Sequence, residues 1–250
     1  MNASSPTCLI TGASGGVATA LARRLRAQGW RLALVGRDRT RLSPAGGEVA
    51  IEADVSTEAG AADALAAATA AFGAPPEAVV NCAGAVLIAP IGRTSERQYR
   101  DCLSANLDTA FFVARAYVAA LQAARRGGAL VFFSSVAAGV GVGNHPAIAA
   151  AKGGVEALTR SLAADAAALG LRVNAIAPGL LETPATAKFV SGDLARRAVS
   201  AQYPLGRHGA ADDAAALAAF LVSADAGWIS GQVIAVDGGF LGVRPAVKVS

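Results

Sequence analysis

The sequence predicts an α/β fold: one doubly wound domain over residues 1–250, with a seven-stranded parallel sheet and helices on both faces. Three observations predict it. Short apolar runs bounded by glycine alternate with longer stretches of helical spacing along the whole chain, which is the pattern of βαβ units. Such units build a parallel sheet that must be covered on both sides. The composition supplies a core, because 54% of the 250 residues are hydrophobic and only 16% are charged. That balance excludes disorder for most of the chain, and neither a linker nor an internal repeat divides it.

The elements follow in order. Thr7–Thr11 is a short buried strand, and residues 15–28 have helical spacing closed by Gly29. Strands at 31–35 and 49–53 precede a helix at 57–72, which Gly73 and Pro75 end. A fourth strand covers 78–81, residues 95–124 are mostly helix, and a fifth strand covers 129–134. A long helix at 146–169 stops at Gly170. A strand at 171–175, a helix at 212–222 and a strand at 232–236 complete the series. The stretches 105–124 and 147–169 carry very few charges. A helix apolar almost all round is buried on more than one side. One side faces the sheet, and a second copy of the chain is expected on the other, giving a dimer or tetramer.

Charge and cysteine narrow the setting. The 22 Lys and Arg exceed the 18 Asp and Glu by only four, and apart from Arg37, Arg39 and Arg41 the arginines are scattered. No nucleic-acid partner is expected from so mild a balance without a recognition motif. No run of apolar residues reaches the length of a membrane span, and the first residues lack a basic segment before their short apolar stretch. Neither a membrane anchor nor a secretory leader is expected. Cys8, Cys82 and Cys102 are odd in number and have no CxxC spacing, so no disulfide framework and no metal site are expected. Three buried thiols in a reducing cytoplasm fit that usage.

The first strand-to-helix turn reads Thr11-Gly12-Ala13-Ser14-Gly15-Gly16-Val17-Ala18. Glycines there allow a tight turn and close backbone approach, and the following helix presents free N–H groups to a pyrophosphate. Gly12, Ser14, Gly15, Gly16 and Val17 are therefore candidate dinucleotide ligands. The second strand ends Val35-Gly36-Arg37, with arginine where an NAD binder often has an acidic residue for the ribose 2′-hydroxyl. A guanidinium matches a 2′-phosphate. NADP(H) is expected over NAD(H); Arg39 and Arg41 either assist or are solvated surface, the second being preferred.

With these residues in view, the chain resembles the short-chain dehydrogenase/reductases, Rossmann-fold enzymes, and within them the 3-oxoacyl-carrier-protein reductases. The turn resembles the family's TGxxxGxG with Ala18 at the last glycine. Asp54 and Val55 resemble the adenine-contacting segment, and Asn81-Cys82-Ala83-Gly84 resembles the NNAG signature. The resemblance implies cofactor contacts from Asp54, Val55, Asn81, Ala83 and Gly84, and from Pro178, Gly179 and Thr183 around the nicotinamide. It implies catalytic roles for Asn106, Ser135 and Lys152, with Lys152 also holding the cofactor. Residues 182–207 fall where the family carries a substrate lid, and residues 230–239 resemble the strand and turn used in family tetramers.

One position departs from the pattern. The family's YxxxK motif places a tyrosine four residues before the lysine, and here that residue is Ile148. Tyr99, Tyr117 and Tyr203 are the chain's tyrosines, and none has a lysine at that spacing. Isoleucine cannot deliver a proton to a carbonyl oxygen, and loss of a positioned general acid costs about 10²–10⁴ in rate. His145 lies seven residues before Lys152. That is about two helical turns, although Pro146 puts His145 outside the helix proper. An imidazole suits acid–base work near neutrality. His145 is read as a substitute acid, a substrate contact or a structural donor. Two functions stay open. The first is NADP(H)-dependent reduction of a ketone or an enoyl group, on a small-molecule or acyl-thioester substrate. The second is an NADP(H)-binding scaffold, sensor or partner subunit without turnover.

Overall fold

The computed structural model describes residues 5–244. The residues read for a leader begin outside that range. In chain order the elements are β1 (Thr7–Thr11), α1 (Gly16–Ala27), β2 (Arg31–Gly36), β3 (Val49–Glu52), α2 (Glu58–Phe72) and β4 (Ala78–Asn81). Then come α3 (Glu96–Leu103), a π-helical turn (Ser104–Asp108), α4 (Thr109–Ala124), β5 (Gly128–Phe133), α5 (Val136–Gly139), α6 (Pro146–Asp165) and β6 (Leu171–Pro178). The chain ends with β7 (Leu181–Glu182), α7 (Asp193–Ser200), β8 (Gly209–Ala210), α8 (Ala211–Val222) and β9 (Val233–Val236).

Seven strands form one sheet in the order β3-β2-β1-β4-β5-β6-β9, and every pairing in it is parallel. The predicted architecture is the one found. On one face α1 and α8 bury Leu21, Leu25 and Leu221 against Ile10, Leu34 and Val131. On the other, α2, α4 and α6 bury Leu65, Val113, Tyr117 and Val155 against Leu9, Val35 and Phe132. Burial on both faces explains why the central strands read as continuous apolar runs rather than alternating ones. From β1 the strand order runs outward in both directions, so the connections leave to opposite faces and open a crevice at the carboxyl ends of β1 and β4.

Three local features differ from the sequence reading. The helix expected over 95–124 is interrupted by the π-helical turn, where the Asn106 amide donates to the Cys102 carbonyl at 3.0 Å. A side chain that takes a carbonyl four residues back competes with the helical ladder and widens the turn. Strand β6 runs on to Pro178 because β9 pairs with its last four residues. The short β7–β8 pair and the helices α5 and α7 were not resolved by periodicity, since each is too short to show one. Among the described residues no helix is long and apolar enough to cross a membrane.

Candidate active site

The crevice holds a cavity of about 820 Å³. Its floor is the β1–α1 turn. Gly12 has φ +59°, and a Cβ there would stand 2.7 Å from the backbone nitrogen of Ala83. Only glycine lets the turn after β1 lie against the turn after β4. The Thr11 hydroxyl donates to Asn81 Oδ1 and accepts from the Ala83 N–H at 3.3 Å, locking the two turns together. No side chain caps α1 at Gly15, so the helix offers its first N–H groups to the cavity. Gly12, Ser14, Gly15, Gly16, Arg37, Asp54, Val55, Ala83 and Gly84 line it as expected. Val17, Asn81, Lys152, Pro178, Gly179 and Thr183 are not in its wall. Asn81 acts instead as the tie beneath the floor, and Pro184 and Ala185, next to Thr183, close one side.

At the far end stand Arg37, Asp38 and Arg41. Asp38 accepts from the Thr40 N–H at 2.9 Å and from its hydroxyl at 2.6 Å. These bonds hold its carboxyl below the usual range and turn it back into a short helical cap. The acidic side chain is thus engaged locally, and two guanidinium groups are left facing the cavity. Arg41, on the 3₁₀ turn Arg39–Arg41, lines this wall while remaining exposed. Asp54 takes bonds from the Ser56 hydroxyl at 2.7 Å and the Ser56 N–H at 3.0 Å. The hydroxyl is the larger cause of its lowered pKa.

The other expected residues gather around β5 and α6. Ser134 points inward and donates to Glu156 at 2.8 Å. Ser135 is half-buried, and its oxygen accepts from the Ala137 N–H at 3.2 Å as the cap of α5, so its own hydrogen is free to donate. Asn106 is buried and clamps the loop after β4, donating to the Ala85 carbonyl at 3.0 Å and accepting from the Ala85 N–H at 3.3 Å. A Cβ at Gly84 would sit 2.9 Å from this pinned oxygen and 3.7 Å from Lys152 Nζ, which places both groups just behind the cavity wall. Lys152 Nζ donates to the Phe133 carbonyl at 2.7 Å. Burial pulls its pKa down to about 8, against the opposing pull of the Cys102 and Cys82 thiols.

Ile148 is one helical turn before Lys152 and 8% exposed, packed with Cys102, Ala147, Ala151, Leu87, Leu103 and Leu107. No tyrosine hydroxyl takes over its position. The Tyr117 hydroxyl donates to the Pro76 carbonyl at 2.9 Å, Tyr203 accepts from the Leu180 N–H at 2.7 Å, and Tyr99 is an exposed residue of α3. His145 precedes α6 in a non-helical conformation, and its Nδ1 is bonded to the Gly143 carbonyl. A carbonyl only accepts, so Nδ1 carries the hydrogen and Nε2 is the nitrogen left for other work. The Ala89 N–H donates to the Asn144 carbonyl at 2.8 Å, which ties the loop carrying His145 to the loop after β4. Nothing bonds His145 to Ser135 or Lys152 among the described residues. The sequence reading missed Asp101, Ser104, Ala105 and Thr109 in the cavity wall. They reach it only because the π-helical turn lies beside β4.

Comparison with known proteins agrees with this geometry. A family model described as Enoyl-(Acyl carrier protein) reductase matches residues 12–241. The (3R)-3-hydroxyacyl-CoA dehydrogenase of Mus musculus is 33% identical over 250 residues, spanning 94% of this chain and 96% of that protein. A protein of Xanthobacter autotrophicus described as inactive 2-(S)-hydroxypropyl-CoM dehydrogenase 2 is 34% identical over 89% of this chain and 100% of its own. A solved short-chain type dehydrogenase/reductase from Mycobacterium ulcerans superposes with a TM-score of 0.87 at 30% identity, covering 94% of this chain and 90% of that one. The chain belongs to the short-chain dehydrogenase/reductase family, an oxidoreductase family whose members use nicotinamide cofactors.

Proposed function

We propose that this protein is an NADP(H)-dependent oxidoreductase that reduces a ketone or an enoyl group with an atypical catalytic set. The observation that carries the cofactor reading is the arginine pair, Arg37 and Arg41, at the far end of the cavity, where the carboxylate beside them, Asp38, is engaged through one oxygen by Thr40. The residues fit the group. Gly12 lets the turns after β1 and β4 pack into a close floor, and the open start of α1 suits a pyrophosphate. Arg37 and Arg41 would take the 2′-phosphate, Asp54 and Val55 the adenine end, and Pro178, Gly179, Thr183 and Lys152 the nicotinamide end. When bound, the cofactor supplies a hydride.

The protein's own share is to orient the substrate and move the proton. The free hydrogen of Ser135 can bond the substrate oxygen, and Lys152 adds positive charge below about pH 8. Asn106 holds the loop after β4 in place. Ile148 supplies only an apolar wall. Reduction of an enoyl thioester tolerates that wall best, because the oxygen needs stabilisation rather than immediate protonation. Enoyl thioesters, of the kind named in the description of the matching family model, are accordingly the substrates to test first. His145 is the group we assign to proton delivery: with Nδ1–H held by the Gly143 carbonyl, Nε2 would give up the second proton of the imidazolium and take it back from solvent. We place the protein in the cytoplasm, without nucleic-acid or membrane partners, as a homodimer or homotetramer joined through α4 and α6.

A second reading keeps the cofactor and drops the turnover. The sealed apolar packing of Ile148 favours it, and one relative of similar identity is itself described as inactive. A panel of ketones and enoyl thioesters with NADPH separates the two. Turnover by the wild type, lost in His145→Ala with NADPH affinity intact, supports the first reading. No turnover until Ile148→Tyr creates ketone reduction, by about 10²-fold or more over background, supports the second.

A further inference from the structure

We infer that Glu182 is a positioning residue that couples the seat of the lid helix α7 to the cofactor cavity. The inference rests on the reading that this cavity takes NADP(H). Helix α7 contributes no buried residue to the protein, and its one leucine, Leu194, is 85% exposed. Of its apolar residues only Ala195 and Val199 are half-buried, so apolar packing holds it weakly. Polar contacts to one carboxylate add to that hold. Arg196 of α7 reaches both oxygens of Glu182, at 2.8 and 3.0 Å. His208, next to β8, meets the same carboxylate through Nε2 at 3.0 Å, and its Nδ1 meets the Ser200 hydroxyl at the end of α7 at 3.1 Å. The bonds from Arg196 and then His208 hold the Glu182 carboxyl down to about 2, so it remains charged at any working pH.

Glu182 is also one residue from the cavity. Thr183 and Pro184 lie against Gly16 at the start of α1, so that a Cβ on Gly16 would stand 3.0 Å from Thr183 and 3.2 Å from Pro184. Pro184 and Ala185 line the cavity itself. The turn that joins them is stiff. The Thr186 hydroxyl donates to the Leu181 carbonyl, the Thr183 N–H donates to the Thr186 hydroxyl at 3.0 Å, and the Ala187 N–H donates to the Thr183 carbonyl at 2.9 Å. A group placed against the start of α1 meets residues 183–185, and the same stiff turn carries the carboxylate that seats α7. Lid position and nucleotide binding then share one element, and each must bias the other by the same factor.

Amide hydrogen exchange over residues 193–200, with and without NADPH, tests this. Wild type, Glu182→Gln, Arg196→Gln and the charge swap Glu182→Arg/Arg196→Glu are compared. NADPH should slow exchange of α7 in the wild type. Both single variants should lose that protection and bind NADPH about fivefold or more weakly, and the swap should restore both. Arg207→Gln, which breaks the neighbouring Arg207–Asp213 pair instead, should behave as wild type. Equal exchange of wild-type α7 with and without NADPH, or protection retained in the single variants, overturns the coupling while leaving the cofactor reading intact. A wild type that binds no NADPH in a fluorescence titration overturns both.

Discussion

Lys152 is the residue whose burial has the clearest electrostatic consequence. Burial takes it from the ordinary 10.5 down to about 8, and the groups that oppose the shift are two thiols rather than a carboxylate. A lysine lowered in this way is charged at a cost in the folded state. Between pH 8 and 10.5 the folded chain has shed a proton that the unfolded chain keeps, so its contribution to stability rises with pH across that window and is at its worst below it. Lys152→Met should therefore be more stable relative to wild type at pH 7 than at pH 9.5, by roughly 1–3 kcal/mol. Denaturant melts of both proteins at the two pH values measure this, and a gap that does not change with pH would contradict it. Counting from Lys152 was enough to put Ile148 one helical turn before the lysine. Where its side chain goes was not legible, because Leu87, Leu103 and Leu107 come from other elements. The place of Arg41 at the cavity wall was open for the same reason: it depends on a 3₁₀ turn capped by Asp38.

Among the elements, the turn between β1 and α1 carries the most demanding backbone. Gly12 combines a positive φ with a Cβ position 2.7 Å from a neighbouring backbone nitrogen, whereas Gly29, with φ +79°, has nothing within 4 Å. Gly29→Ala should cost about 1 kcal/mol through its backbone conformation alone. Gly12→Ala must also push the turn after β4 away, so it should cost clearly more and abolish NADPH binding. Thermal melts with a nucleotide titration check the pair, and equal behaviour of the two variants would refute the close-packed turn. This turn was legible because glycine spacing and its place after a strand carry the information locally. The π-helical turn at Asn106 was not, because it arises from a bond between the Asn106 amide and the Cys102 carbonyl inside a stretch whose periodicity still reads as helix. Helix α7 escaped for another reason: its apolar side, Leu194, Ala195, Ala198 and Val199, lasts only two turns, too short for periodicity to stand out.

For the whole molecule, the strand order places the crevice and both core faces; the parallel seven-stranded sheet with helices on both faces was legible from the alternation of strands and helices, whereas the order of the strands was not. What lies outside a single chain was legible only as an excess of apolar helix surface. Phe111 on α4 is 51% exposed, stacked edge-on against Phe112 at 5.7 Å. If α4 meets a second copy, Phe111→Glu should reduce the assembly to smaller species in sedimentation while leaving the melting curve of the fold in place. A wild type that sediments as a monomer contradicts the oligomer. The account as a whole depends on the crevice accepting a phosphorylated dinucleotide beside a site without its phenol. Equilibrium titration of one preparation with NADPH and NADH, repeated on Arg37→Ala, tests this most directly. NADPH should bind more tightly than NADH by roughly 10-fold or more, and Arg37→Ala should erase most of that difference while changing NADH little. NADH binding as tightly as NADPH, or neither nucleotide binding, would contradict it.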